Sequence, residues 1–242
     1  MPDDHGRNVI VTGGSRGLGL GIGCRLAEAG FRVIAIARKP SDELLATERS
    51  MHFWPCDLGA VEAIPGLVKA IAREFGPIYG LVNNAGIGTS GVLANMRAGD
   101  IERTVRLNTV SPMMLTKHVT RTMMVAGQGG RIVNISSIVS TTGFSGLSVY
   151  AATKASLIGF TKSLAREVGP LGITVNAVAP GFVDTAMTEG LDGGQREQIA
   201  RRSALKRLAE IDDVANAVGF LMSDPARNIT GTVLTVDAGG TA

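Results

Sequence analysis

Short apolar runs alternate with longer stretches of helical period from one end of the chain to the other. Val9-Ile10-Val11 runs into a glycine-rich turn and a helix through about Ala29, and Arg32 to Ala37 is the next β-branched run. Met51 to Pro55 reads as a third strand, followed by a helix from about Ala60 to Phe75. Gly80-Leu81-Val82 forms a fourth strand, ending at Asn83-Asn84-Ala85-Gly86, and a long helix is expected from about Asp100 to Met124. Then come a strand over Arg131–Ile135, a helix over Val149–Val168, and a strand over Ile173–Val178 stopped by Pro180-Gly181. Helices near Gln195–Ser203 and Asp212–Met222 precede a last strand, Thr232–Val236.

The strand runs are apolar at successive positions rather than at alternate ones. That is the pattern of strands covered by helices on both faces of a parallel sheet. Regular βαβ alternation with right-handed crossovers then gives one doubly wound parallel sheet. The expectation is a single α/β domain over residues 1–242, with a substrate lid at about 187–203, where Gly190, Gly193 and Gly194 suit a mobile loop.

Composition narrows the class without changing this picture. A chain of 242 residues, 45% hydrophobic and 19% charged, supports one large core. No apolar run reaches the roughly 18 residues a membrane span needs. Met1 to Arg7 lacks the apolar stretch of a secretory leader, so a cytoplasmic location is expected. Cys24 and Cys56 are expected to be free, buried thiols, and they show no metal-ligand spacing with the three histidines. The net charge is only +3 and bases are interspersed with acids, which speaks against a nucleic-acid surface. The densest basic cluster, Arg201-Arg202 with Lys206-Arg207, reads as one helix's solvent face.

Candidate chemistry begins where the first strand meets Thr12-Gly13-Gly14-Ser15-Arg16-Gly17-Leu18-Gly19. Glycines there allow a tight turn and close backbone approach, and the following helix turns its unpaired N–H groups toward an anion. The expected ligand is the pyrophosphate of a dinucleotide, with contacts from Gly13, Ser15, Arg16, Gly17, Leu18 and Gly19. Gly21 and Gly23, inside the helix, read as close-packing positions. The second strand ends Ile36-Ala37-Arg38-Lys39, without the acid that would accept a hydrogen bond from a ribose 2′-hydroxyl. Arg38 and Lys39, with Arg16, suit a 2′-phosphate instead; the competing reading makes them ordinary exposed loop residues. The cofactor expected is NADP(H).

Tyr150 and Lys154 lie four apart at the start of a helical pattern and project from one face. A phenol with an ordinary pKa near 10 becomes useful at neutral pH when a nearby cation favours its phenolate. Ser136-Ser137 ends the preceding strand, on the carboxyl edge where ligands bind in such sheets.

Taken together, the glycine loop, Asp57, Asn83-Asn84-Ala85-Gly86, Asn108, Ser137, Tyr150, Lys154 and Pro180-Gly181 resemble the short-chain dehydrogenase/reductase family over the whole chain. The resemblance implies a seven-stranded Rossmann-type sheet and a catalytic set of Asn108, Ser137, Tyr150 and Lys154. Ser137 would hold the substrate oxygen, Tyr150 would donate the proton, Lys154 would bind the nicotinamide ribose, and Asn108 would hold a helix kink and the water of a proton relay. Ser136 is the rival for the serine role; Ser137 is favoured because it stands thirteen residues before Tyr150. Asp57 and Leu58 would flank the adenine, while Asn84, Ala85, Gly86, Pro180, Gly181, Val183 and Thr185 would complete the cofactor site.

Within that family the stretches Ala155–Glu167, Gly172–Asn176 and Pro180–Thr185 are similar to the 3-oxoacyl-(acyl-carrier-protein) reductase branch. The implied substrate is a 3-oxoacyl thioester. Gln128 and Leu171 stand where carrier-docking members tend to be basic, so a free ketone, a sugar or a secondary alcohol stays open, as does a non-catalytic nucleotide-sensing protein. The resemblance also implies a homotetramer, in which Asp100–Met124 and Val149–Val168 would bury their excess apolar surface.

Overall fold

The computed structural model describes residues 6–47, 51–183 and 193–242. Seven strands, β1 (Asn8–Thr12), β2 (Arg32–Ala37), β3 (Met51–Pro55), β4 (Ile78–Asn83), β5 (Gly130–Ile135), β6 (Ile173–Pro180) and β7 (Val233–Val236), form one sheet. Its order is β3-β2-β1-β4-β5-β6-β7, and every neighbouring pair is parallel. Between them run α1 (Gly17–Glu28), α2 (Asp42–Leu45), α3 (Ile64–Phe75), α4 (Ala98–Val105), α5 (Ser111–Ala126), α6 (Val139–Thr142), α7 (Ser148–Val168), α8 (Gly193–Arg202) and α9 (Ile211–Met222). None of the helices among the described residues is long and apolar enough to cross a membrane.

The successive apolar residues of each strand divide between two cores. Ile10, Ile34, Ile36, Leu81 and Ile132 pack with α3, α5 and α7 on one face. Val9, Val11, Val33, Val82 and Val133 pack with α1 and α9 on the other. A one-residue shift in any inner strand would exchange these faces, so both cores fix the register. Pro55 falls at the end of β3, a sheet edge where its missing N–H costs no ladder bond. Gly21 and Gly23 sit where Ile211 and Met51 leave no room for a Cβ, the former within the α1–α9 contact.

Three local expectations change. The long helix over Asp100–Met124 is divided into α4, a π-helical segment Arg106–Val110 that holds Asn108, where the resemblance implied a kink, and α5. Pro112 has no N–H to return to the Asn108 carbonyl four residues back, and its ring crowds that carbonyl, so the turn widens there. Cys24 and Cys56 are free but half-buried rather than buried, because α1 shows Cys24 partly to solvent and Cys56 follows an edge strand. The Arg201–Arg207 cluster is not one helical face. Arg201 and Arg202 close α8, whereas Lys206 has a left-handed backbone and Arg207 pairs with Asp213 at 3.0 Å. Thr185 and lid residues 187–192 lie outside the described residues.

Candidate active site

The order of strands reverses between β1 and β4, so their carboxyl ends open a crevice between diverging connections. Thr12, the last residue of β1, builds its floor. Its hydroxyl donates to the Val82 carbonyl at 3.2 Å and accepts the Asn84 and Ala85 N–H groups at 2.9 Å each. Asn84 returns the contact through Nδ2 to the Thr12 carbonyl at 2.8 Å. The glycine loop is thereby fastened to the Asn83–Gly86 segment before any ligand is considered.

Within the loop the glycines have different duties. A Cβ at Gly19 would stand 2.2 Å from the Gly13 carbonyl oxygen, and one at Gly13 would stand 3.0 Å from Asn84 Nδ2. Those two positions let backbone segments touch. Gly17, at φ +54°, meets nothing within 4 Å and leaves open space at the first residue of α1. Arg16, at the N-cap, is extended and exposed and provides no side-chain cap, so the helix end keeps its free donors for an anion. Packed turn, open glycine and uncapped helix together fit the pyrophosphate of a dinucleotide. Ser15 is buried and Leu18 half-buried behind them.

The end of β2 is stapled to this loop twice. Gly13 N–H donates to the Ile36 carbonyl at 2.8 Å, and the Ser41 hydroxyl donates to the Ser15 carbonyl. Arg38 and Lys39 lie between the staples, exposed, in the same corner as Arg16. Asp57 is exposed and accepts the Gly59 N–H at 2.9 Å, while Leu58 turns into the core beneath.

At the other end of the crevice α7 brings the polar groups together. Lys154 is 5% exposed; its Nζ donates to the Ile135 carbonyl at 2.8 Å and lies 5.7 Å from the Tyr150 ring centroid. Burial alone pulls its pKa down to about 8. Burial pushes the Tyr150 phenol above the ordinary tyrosine value, and a hydrogen bond with Ser137 works against that. Burial is the larger of the two causes, so the phenol keeps its proton at neutral pH, the state a proton donor requires.

The two serines are sorted by their surroundings. Ser136 is buried and spends its hydroxyl on the Lys154 carbonyl at 2.9 Å, whereas Ser137 is half-exposed beside Tyr150. Asn108, in the π-helical segment, is 1% exposed and clamps Ile87 from both sides. It accepts the Ile87 N–H at 2.9 Å and donates to the Ile87 carbonyl at 2.8 Å, and Nδ2 also reaches the Thr153 hydroxyl at 3.2 Å. Gly86 stands between Asn108 and Lys154: a Cβ there would lie 3.2 Å from Asn108 Oδ1 and 3.6 Å from Lys154 Nζ.

Pro180 receives the Ile138 N–H at 3.0 Å, and Gly181 donates to Val236 at 2.9 Å while packing on Asp237 too closely for a side chain. Val183 is buried in a bridge to Ala209, which makes it a packing residue at the crevice wall. Thr12, read from the sequence only as the start of the glycine loop, and Thr153, which the sequence did not mark, carry these arrangements. A polar residue directly after the apolar run Val9–Val11 was the available signal for the anchoring role of the first.

The model of the family described as enoyl-(acyl carrier protein) reductase matches residues 13–241. A 3-oxoacyl-[acyl-carrier-protein] reductase FabG of Escherichia coli (strain K12) is 42% identical over 241 residues, covering 97% of each chain. The protein of the same name from Pseudomonas aeruginosa is 40% identical over 241 residues, again covering 97% of each chain. That of Staphylococcus epidermidis is 36% identical over 240 residues, covering 96% of this chain and 98% of the relative.

Proposed function

The chain belongs to the short-chain dehydrogenase/reductase family, and on that premise we propose that it reduces the ketone of a 3-oxoacyl thioester with NADPH. It is an oxidoreductase using a nicotinamide cofactor, as the family does. The observation that carries the finer reading is the half-buried, protonated Tyr150 beside Ser137, one helical turn from the buried Lys154.

The cofactor supplies the hydride when bound. Gly13, Ser15, Arg16, Gly17, Leu18 and Gly19 would hold its pyrophosphate side, with Arg16 and Arg38 on a 2′-phosphate. Asp57 and Leu58 would meet the adenine, and Asn84, Ala85, Gly86, Pro180, Gly181, Val183 and Thr185 would hold the rest. Ser137 would donate a hydrogen bond to the ketone oxygen, and Tyr150 would give up its proton as that oxygen gains charge. Lys154 would offset the phenolate that remains, and Asn108 would hold the Ile87 carbonyl and the relay water in place. Arg38 and Lys39, rather than an acid, follow the end of β2 beside the glycine loop, which supports NADPH over NADH.

Gln128 and Leu171, both exposed and uncharged, weaken the docking of an acidic carrier protein, so the acyl thioester is taken as the chief recognised part and acyl carrier protein as the lesser partner. Exposed Val105, Val110, Met124 and Val125 on the α4–α5 stretch support a homotetramer that covers them; sedimentation as a monomer at micromolar concentration would contradict it.

The decisive assay follows NADPH absorbance with an acetoacetyl thioester, with a crotonyl thioester and NADH in parallel. Oxidation of NADPH by the ketone alone supports the reading. Turnover of the crotonyl substrate would move the reaction to the double bond named in the family's description. Turnover only with free ketones, sugars or alcohols would replace the substrate.

A further inference from the structure

The residues above account for the reacting oxygen and the cofactor, and leave unassigned what meets the substituent beyond the ketone. Large apolar residues stand exposed on two connections at the carboxyl ends of the strands: Val92 and Leu93 after β4, and Phe144, itself 57% exposed, after β5. The connections are joined by a hydrogen bond from Gly91 N–H to the Gly146 carbonyl at 2.9 Å. Gly143 and Gly146, at φ +68° and +81°, bracket Phe144 in left-handed turns that a side chain would strain. The phenyl ring is thus held out on a fixed loop, and its inner edge meets Phe182 with centroids 6.1 Å apart at 66°. Ile138 N–H bonds the Pro180 carbonyl between these loops, so the aromatic contact spans the same pair of connections that presents Ser137.

We propose that Phe144, seated edge-on against Phe182, is a specificity-determining wall that selects substrates carrying an extended apolar chain beyond the ketone. A wall open to solvent on one side captures part of the transfer free energy of each methylene. Full burial gives about fourfold per methylene, so about twofold is expected here. The choice of an acyl chain rests on the 3-oxoacyl reading of the site; the wall itself rests on the loop geometry.

The test is calorimetric binding of 3-hydroxyacyl N-acetylcysteamine thioesters with four, six, eight and ten carbons to the NADP⁺-loaded protein. Wild type and Phe144→Ala are compared, and the matching 3-oxoacyl series is assayed for turnover. Wild-type affinity should rise more than tenfold from four to eight carbons. Phe144→Ala should flatten that rise while leaving the four-carbon ligand within about twofold, and Phe144→Leu should restore part of it. The same slope in wild type and variant, an equal loss at every length, or no binding by wild type overturns the wall. So does a change in sedimentation caused by Phe144→Ala, which would assign the ring to a contact between copies. Length-dependent binding without turnover of any 3-oxoacyl member sinks the reaction reading and leaves the wall. Turnover without length dependence does the reverse.

Discussion

The two ends of the crevice treat their cations in opposite ways. At the α7 end Lys154 is buried, bonded to the Ile135 carbonyl and low in pKa. At the glycine-loop end Arg16, Arg38 and Lys39 are exposed, on backbone fixed by Gly13 and Ser41. A charge that must act on one atom at one moment is positioned by packing and carries the cost of lost water. A charge that only has to recognise a phosphate can stay hydrated, provided the backbone beneath it is rigid.

The largest test of that contrast is Tyr150→Phe. Removing the donor should lower kcat by about 10²–10⁴ while NADPH still binds, and near wild-type turnover would refute the assignment.

Lys154→Met comes next, read as stability of the cofactor-free protein. A base whose folded pKa lies below its unfolded value binds fewer protons when folded. The penalty is therefore full below about pH 8 and is relieved as the pH rises toward 10.5. It is worth about 3 kcal/mol, partly offset in the variant by the Ile135 carbonyl left without its donor. Denaturant melts should show Lys154→Met about 2 kcal/mol more stable at pH 7, with the gap closing by about pH 10. A gap independent of pH would mean the lysine is not held as described.

At the exposed end, Arg38→Ala should cost about tenfold in kcat/KM with NADPH and leave NADH unchanged, as expected for one charged hydrogen bond. Equal losses with both cofactors would remove Arg38 from the 2′-phosphate. The smallest effect should come from Gly17→Ala, where only the left-handed backbone is strained: about 1 kcal/mol of stability in a urea melt. Gly19→Ala, driven into the Gly13 carbonyl, should lose more, and an equal cost at both positions would mean the loop is not packed as described.

The sheet was legible because each inner strand is apolar on both faces, a pattern that admits helices on both sides and little else. That Ser137, Tyr150 and Lys154 would meet was legible because they fall on one strand end and one helix start. The break at Arg106–Val110 was legible only through the family resemblance, which implied a kink at Asn108, since Leu107 and Val110 continue the helical period through it. Pro112 was the signal, but a proline one turn late reads equally well as a helix start. The Asn108 clamp on Ile87 depends on two segments meeting in space, and no spacing within either one encodes it. Burial of Cys56 failed for a related reason: an apolar neighbourhood in sequence does not say whether a strand lies at the edge of the sheet, and for Cys24 it does not say which side of α1 meets solvent.

The hydrogen bond between Gly91 and Gly146 has a practical meaning for anyone redesigning this protein. The loop after β4 and the loop after β5 are one cassette cut from two places in the gene. A library that diversifies either alone would chiefly sample misfits between them, whereas exchanging both as a matched pair keeps the seam and changes only the side chains the loops present.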